Sequence, residues 1–169
     1  MEKIVIVDEN DKVIGYKERN SAKLENIYRV SALWIANSRE EILLAQRSLN
    51  KDKHPGRWGP AVAGTVEEGE DYDDNIVKET EEEIGLAGIK PIKASKLRVR
   101  GEYNFFVQWY FLREDRAASE FKIDSKEVKR VEWFAKDGLL SRVRADPKRF
   151  IPHMEDYVEY YFRIFESYG

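Results

Sequence analysis

Residues 64–86, with the sequence GTVEEGEDYDDNIVKETEEEIGL, carry more structural information than the rest of the chain. The run that begins near Tyr72 is long enough for a helix, and it meets Gly85, the residue type that most often follows the last helical turn. The stretch therefore predicts a central helix over about Tyr72 to Ile84 that Gly85 terminates.

The acidic residues of this predicted helix are not randomly placed. At about 100° per residue, one side of the helix forms an apolar stripe that consists of Ile76, Val77, Thr80 and Ile84. Glu83 falls beside this stripe, Glu79 lies in the same sector, and Glu82 points further toward solvent. Because Glu79 precedes Glu82 by three residues and Glu83 by four, the carboxylates are neighbours on one helix surface.

Neighbouring carboxylates repel one another unless they share a proton or bind a cation. Magnesium prefers oxygen ligands, typically takes one or two carboxylates, and completes its coordination with water and substrate phosphates. We therefore predict a Mg²⁺ site on this helix, where Mn²⁺ or Ca²⁺ could substitute. An arbitrary glutamate-rich helix is usually a solvated surface, but here Glu83 borders the core-facing stripe and a glycine-bearing turn leads into the helix.

The composition excludes several classes of function. The chain has 29 Lys and Arg against 32 Asp and Glu, so it has no large field to attract a nucleic acid polymer or an anionic membrane. It has no Cys and two His, which excludes disulfides, thiolate catalysis and Cys-based zinc sites. The start, MEKIVIVD, does not read as a signal peptide and no later stretch reads as a bilayer span, so we expect a cytoplasmic protein.

The pattern of apolar runs and polar breaks predicts the rest of the fold. Residues 1–169 are expected to form one domain. A loop is predicted over 49–60 and a C-terminal helix with core-facing aromatic residues over 150–165. The predicted strands, of which the first four form two hairpins, are 4–7, 13–16, 28–36, 42–45, 61–66, 96–103, 105–112 and 128–134. This order predicts an α/β fold with a mixed sheet flanked by helices.

The box at 64–86 resembles the signature of the Nudix hydrolase family, which reads Gly, five residues, Glu, seven residues, Arg-Glu-aliphatic-x-Glu-Glu-x-Gly-aliphatic. The chain has the matching residues Gly64, Glu70, Glu79, Glu82, Glu83, Gly85 and Leu86. Lys78 stands where the family has Arg, and Thr80 stands where it has an aliphatic residue. We expect Glu70 to orient Lys78, with a less rigid carboxylate arrangement because lysine is a point charge and not a planar fork.

The resemblance implies an α/β/α sandwich that hydrolyses the diphosphate linkage of a small molecule, with nucleoside di- or triphosphates as the first expectation. It implies that Glu79 and Glu83 are the main metal ligands, that Glu82 is an additional ligand, and that the Gly64 carbonyl is a backbone ligand. Glu79 also belongs to the predicted catalytic residues. A homodimer is compatible with this fold, although no residue pattern decides it.

Residues 46–58 are similar to a loop of isopentenyl diphosphate isomerases and of nearby hydrolases in the same superfamily. This resemblance implies that Arg47 and Lys51 bind the diphosphate. A guanidinium group and a mobile ammonium group in the same loop can bind adjacent phosphates. A solvated basic loop is the alternative. Trp58 is expected to wall the substrate pocket, with packing against the central helix as the alternative, and His54 is expected to be an ordinary loop residue.

Several Nudix enzymes use a glutamate well downstream of the box to activate or position the attacking water. Glu127 is the candidate here because it lies six residues before Trp133, and MutT-type members of the family carry a glutamate at a similar distance before a tryptophan. A loop glutamate before a strand can also swing toward a metal. Glu132 is the competitor, but the pleat of a strand would fix its direction. The alternative for Glu127 is a solvent-facing carboxylate among basic neighbours.

Two other functions are weighed against the hydrolase. Isopentenyl diphosphate isomerase needs a proton-transferring cysteine where this chain has Ala63, and only Glu102 matches its downstream Glu-His-Glu stretch. A non-catalytic nucleotide-sensing Nudix domain commonly has a degraded box or an attached DNA-binding domain, and the sequence shows neither. The residues therefore favour a hydrolase.

Overall fold

The structure, a computed structural model, describes residues 2–165. In this range the strands are β1 Lys3–Val7, β2 Val13–Glu18, β3 Ile27–Ala36, β4 Glu41–Arg47, β5 Trp58–Pro60, β6 Val62–Thr65, β7 Ile92–Val99, β8 Phe105–Arg113 and β9 Val128–Ala135. The α-helices are α1 Tyr72–Ile84, α2 Leu139–Ala145 and α3 Met154–Ile164. Across the same residues, none of the helices combines the length and the apolar character that crossing a bilayer requires.

Strand β3 is the centre of a mixed sheet. It pairs antiparallel with β1, β4 and β6 and parallel with β8. The sheet continues through β2 beside β1, through β7 beside β8, and through β5 and β9 beside β4. A parallel pair needs a long crossover connection, and α1 lies in the crossover between β3 and β8. The mixed sheet and both predicted hairpins are confirmed.

Apolar side chains cover both faces of the sheet. On one face α1 packs through the fully buried Ile76 and Ile84. On the other face α2 and α3 cover a second cluster, in which Trp34 and Trp109 stack with ring centroids 5.3 Å apart and Tyr157 of α3 packs edge-on against Trp109. The α/β/α sandwich is therefore confirmed, and so is the expectation that the aromatic residues of the C-terminal helix lie in the core.

The structure corrects four local predictions. The expected loop over 49–60 contains β5, because Trp58–Pro60 pairs with β4 despite its Gly and Pro. The strand expected over 96–103 ends at Val99, since residues 101–103 turn away before β8. The sequence did not indicate α2, which is only 7 residues long and too short to show a helical period. The C-terminal helix begins at Met154 and not near residue 150.

The N-terminal hairpin is attached to three other elements through one side chain in its turn. The carboxylate of Asp11 is 6% exposed and accepts hydrogen bonds from Arg29 Nε on β3 at 2.7 Å and from Lys96 Nζ on β7 at 2.5 Å. It also accepts from the Tyr72 hydroxyl at the start of α1 at 3.0 Å. Burial opposes the charged form, but the hydrogen bonds from Lys96 and Arg29 lower the pKa of Asp11.

Candidate active site

Helix α1 is fixed at both ends by its capping residues. The Asp71 carboxylate accepts from the Asp74 backbone N–H at 2.8 Å, and the Asp74 carboxylate accepts from the Asp71 N–H at 3.2 Å, which is a reciprocal capping box. Gly85 ends the helix with φ 74°, a left-handed conformation that costs glycine little. The helix therefore stops soon after Glu79 and Glu83, and both carboxylates lie in its last turns.

Gly64 on β6 lies directly against the side chain of Glu79. A Cβ atom at position 64 would lie 2.5 Å from Cγ and 2.8 Å from Cδ of Glu79, so any other residue would displace this side chain. Only glycine lets a backbone approach so closely. The backbone of the predicted ligand Gly64 and the carboxylate of Glu79 are therefore neighbours.

Asn75 joins helix α1 to the sheet at this point, a role that the sequence did not reveal. Its side chain is fully buried, donates to the Thr65 carbonyl at 3.1 Å and to Glu70 Oε1 at 3.2 Å, and accepts from the Ser31 hydroxyl. Because a buried amide must find partners, these bonds fix the distance between α1 and strands β3 and β6. No local pattern marks such a residue, since its partners come from other elements.

Glu79 and Glu83 are neighbouring carboxyl groups, and each affects the pKa of the other. Burial, followed by repulsion from Glu79 and Glu127, raises the pKa of Glu83 well above its usual range. Burial is also the main reason that the pKa of Glu79 rises to about 7, against the attraction of Lys78 and with further repulsion from Glu82. Burial and mutual repulsion thus both oppose simultaneous ionisation of the two carboxyl groups.

Lys78, which replaces the family's arginine, is held by two glutamates. Its Nζ lies 2.7 Å from Glu70 Oε2 and 2.9 Å from Glu67 Oε2, and 3.7 Å from Glu79 Oε1. Burial opposes the charged form, but the hydrogen bonds that Lys78 donates to Glu70 and Glu67 raise its pKa. The expected contact with Glu70 is confirmed, whereas the contact with Glu67 was not expected. Thr80 donates to the Ile76 carbonyl at 2.6 Å, as its place on the apolar stripe allowed.

Glu127 is brought to the end of α1 by a short chain of backbone hydrogen bonds. The Asp124 N–H donates to the Glu83 carbonyl at 2.9 Å, and the Glu127 N–H donates to the Asp124 carbonyl at 3.0 Å. Gly85 supports this contact, because a Cβ there would lie 2.7 Å from Lys122 Cβ. The loop before β9 therefore packs against the helix terminus, and the charge of Glu127 acts on Glu83.

Arg47 and Lys51 lie on the other side of Glu127. Lys51 Nζ is 2.6 Å from Glu127 Oε2, and the Ser48 N–H donates to the Glu127 carbonyl at 3.0 Å. Arg47 Nε donates to the Lys53 carbonyl at 2.9 Å. Burial lowers the pKa of Arg47, while the charges of Glu127 and Glu83 act in the opposite direction. The structure thus gathers two predicted phosphate-binding cations and three predicted acidic site residues in one region.

Trp58 and Glu132 lie apart from this region, whereas the exposed Glu82 is near enough for its charge to act on Glu79. Trp58 is buried on the face covered by α2 and α3, where its ring packs edge-on against Phe134 with centroids 5.1 Å apart. It therefore packs neither beside the carboxylates nor against α1. Glu82 is exposed on α1. Glu132 is exposed on β9, 3.9 Å from Arg130.

His54 and Tyr103 join two loops near Arg47, which the sequence did not suggest. His54 Nε2 lies 2.7 Å from the Tyr103 hydroxyl, and the two rings meet edge to face with centroids 5.7 Å apart. The charge of Arg47 acts on both residues. The loop after β4 is thereby held at Lys51 by Glu127 and at His54 by Tyr103.

The carboxyl pair has the chemistry that a hard divalent cation requires. A cation there would compensate the charges of both ionised carboxylates. In the described part of the chain, 2–165, no group of three Asp, Glu or His side chains converges to enclose an ion. Ligands beyond this pair would include the backbone, water and phosphate oxygens, as is typical of Mg²⁺.

The raised pKa of Glu79 predicts how stability depends on pH without metal. Its pKa is about 7 in the folded protein against an ordinary value of 4.5, so the folded state binds protons more tightly than the unfolded chain between these values. The free energy of unfolding should therefore fall by about 1–3 kcal/mol as pH rises from 4.5 to 7. Mg²⁺ should restore more stability at pH 7.5 than at pH 5, as urea unfolding with chelator or with Mg²⁺ would measure.

The matched control for this prediction is Glu79→Gln, which should reduce the metal-free dependence in this pH window, while the part that comes from the raised pKa of Glu83 remains. Equal stability of the wild-type protein at pH 5 and pH 7.5 in chelator, with no gain from Mg²⁺ at either pH, would contradict it.

Similarity to known proteins agrees with the fold. The profile described as NUDIX domain matches residues 26–154. An uncharacterised Nudix hydrolase of Yersinia pestis is 26% identical over 147 residues, which cover 84% of this chain and 78% of that protein. An isopentenyl-diphosphate Delta-isomerase of Rhodobacter capsulatus is 31% identical over 124 residues, which cover 70% of each protein.

Among solved structures, the DR0079 protein of Deinococcus radiodurans superposes with a TM-score of 0.81. The match covers 94% of this chain and 98% of that chain at 22% sequence identity. It extends the likeness in fold beyond residues 26–154, to nearly the whole chain.

Proposed function

Because the chain belongs to the Nudix hydrolase family, we propose that it hydrolyses the diphosphate linkage of a nucleoside di- or triphosphate, or of a related organic diphosphate, with Mg²⁺. A family assignment alone does not fix chemistry, so the proposal rests on the site. Its main support is that the neighbouring carboxyl groups of Glu79 and Glu83 lie near two cationic side chains suited to phosphate.

We assign the metal to the end of α1. Glu79 and Glu83 would hold Mg²⁺ together with the Gly64 carbonyl, and Glu82 would serve as the additional ligand that the family signature includes. Mn²⁺ is the expected substitute because it shares the preference for oxygen ligands. When bound, the ion would neutralise charge that develops during phosphoryl transfer.

The remaining steps belong to the side chains of the chain itself. Arg47 and Lys51 bind and orient the diphosphate through charge-assisted hydrogen bonds. Glu127 accepts the proton of the attacking water, whose oxygen bonds to one phosphorus as the bridging P–O bond breaks. The bridging oxygen leaves with the other phosphate. Trp58 is buried on the face covered by α2 and α3, so we assign it no contact with the diphosphate.

A substrate panel tests the proposal. The purified protein with Mg²⁺, with Mn²⁺ or with chelator would be incubated with nucleoside di- and triphosphates, dinucleotides and nonnucleotide diphosphates, and released phosphate and pyrophosphate would be detected. We expect turnover of at least one compound with either metal and none with chelator. Absence of turnover across the panel, or turnover that persists in chelator, would refute the proposal.

A second candidate activity arises from the isomerase relative that is 31% identical. We predict that the chain does not isomerise isopentenyl diphosphate, because Ala63 stands where the isomerase requires a cysteine and an alanine methyl group cannot exchange a proton. Incubation of isopentenyl diphosphate with the protein in heavy water, followed by proton NMR, should show no deuterium incorporation. An authentic isomerase provides the positive control, and exchange at an enzymatic rate would overturn the prediction.

A further inference from the structure

We propose that Lys51 is a positioning residue that holds Glu127 until substrate arrives, and that a substrate phosphate releases Glu127 by taking Lys51. This inference rests on the proposed function, since it assigns phosphate binding to Lys51 and water activation to Glu127. It adds that the two roles are exclusive in time, because one ammonium group serves both partners.

The contact that carries the proposal joins two distant parts of the chain. Lys51 lies in the loop after β4 and Glu127 lies just before β9, yet Lys51 Nζ and Glu127 Oε2 are 2.6 Å apart. The side chains are 23% and 41% exposed, so water and a ligand can reach the pair. A partly exposed ion pair of this kind contributes little stability, and a competing anion can therefore break it.

The backbone of Glu127 is held by hydrogen bonds, so only its side chain can move when Lys51 is taken by a ligand. Its carbonyl accepts from the Ser48 N–H at 3.0 Å and its own N–H donates to the Asp124 carbonyl at 3.0 Å. Asp124 is in turn bonded to the Glu83 carbonyl at 2.9 Å. Loss of the bond to Lys51 would therefore redirect the carboxylate by side-chain rotation, while its backbone stays beside the end of α1.

Charge decides which anion Lys51 prefers. A diphosphate has more negative charge and more acceptor oxygens than one carboxylate, and charge-assisted hydrogen bonds to phosphate are strong. Arg47 lies within reach of the charge of Glu127, so the same phosphate would gain a second cation. The substrate thus outcompetes Glu127 for Lys51, and the freed carboxylate becomes available to the attacking water only when a substrate is bound.

A double-mutant cycle on ligand binding tests this exchange. The dissociation constant of methylenediphosphonate, a diphosphate analogue that resists hydrolysis, would be measured by titration calorimetry at saturating Mg²⁺. The proteins are the wild type, Glu127→Gln, Lys51→Met and the double variant, each checked for folding by circular dichroism. Removal of the competitor in Glu127→Gln should tighten binding about two- to fivefold, the scale of an exposed ion pair, and Lys51→Met should weaken it.

The decisive comparison is made without the lysine. In the Lys51→Met background, Glu127→Gln should leave the dissociation constant unchanged within error, because there is no ammonium group left to release. Equal tightening in both backgrounds would mean that Glu127 acts only through general repulsion and would overturn the proposal, as would no tightening in the wild-type background. Glu132→Gln, which removes the same charge from β9, is the matched control and should not alter binding.

The cycle separates this inference from the proposed function, because the analogue is not turned over. Failure of the proposed hydrolysis would appear in the substrate panel, whereas failure of the exchange would appear only in the binding constants.

Discussion

Replacement of Glu83 by Gln is expected to remove nearly all turnover while the protein stays folded. Gln keeps the shape and hydrogen-bonding capacity of this buried side chain, which is 9% exposed, but it cannot carry the charge that a divalent cation requires. Loss of an outer-shell partner typically costs about 10–100-fold in activity, so loss of a proposed ligand should cost more than about 100-fold in kcat.

The matched control for Glu83→Gln is Glu81→Gln, which changes an exposed glutamate of the same helix and should leave kcat within about twofold. Circular dichroism and kcat at saturating Mg²⁺ would be measured for both variants. A folded Glu83→Gln protein that retains most of its rate would exclude the carboxyl pair as the metal site.

The second large effect is expected from Glu127→Gln. If Glu127 accepts the proton of the attacking water, its amide should lower kcat on the order of 100-fold, the usual scale for loss of a general base. Glu132→Gln should have little effect, because Glu132 points to solvent from β9 and pairs with Arg130 at 3.9 Å. The measurement is kcat for both variants at saturating Mg²⁺ and substrate.

A rate for Glu127→Gln close to that of the wild type would contradict this assignment. It would direct attention to Glu79, the other acidic residue assigned to catalysis, or to Glu132. The binding cycle with Lys51→Met would still be informative, because it measures competition for the ammonium group and not proton transfer.

The parts of the site that could be predicted from sequence are those that depend on residues close together in the chain. The spacing of Glu79 and Glu83 within one helix and the terminating Gly85 require only the geometry of a single helix. The structure places α1 at Tyr72–Ile84, as these residues predict. The contact between Glu70 and Lys78 was predicted from the resemblance to the Nudix signature, in which both positions occur, and not from helix geometry.

The parts that could not be predicted depend on contacts between distant segments. Lys51 and Glu127 are 76 positions apart in sequence, and no local rule indicates that they bond. The same holds for the hydrogen bond from Asp124 to the Glu83 carbonyl. The sequence prediction for the position of Trp58 did not match the structure. An aromatic residue beside a loop can line a pocket or lie in a core. The pairing of β5 with β4, which joins distant segments, decides which face of the sheet the ring occupies.

The turn of the N-terminal hairpin affects how far the chain can be shortened without loss of stability. The matched family domain spans residues 26–154, so Asp11 lies outside it. Yet Arg29, Tyr72 and Lys96, which all lie inside that span, donate hydrogen bonds to its carboxylate. A chain cut at residue 26 would leave these donors without their shared acceptor, and removal of one partner from a buried charged network is strongly destabilising. We therefore expect the segment 26–154 alone to be less stable than the chain that includes the N-terminal hairpin.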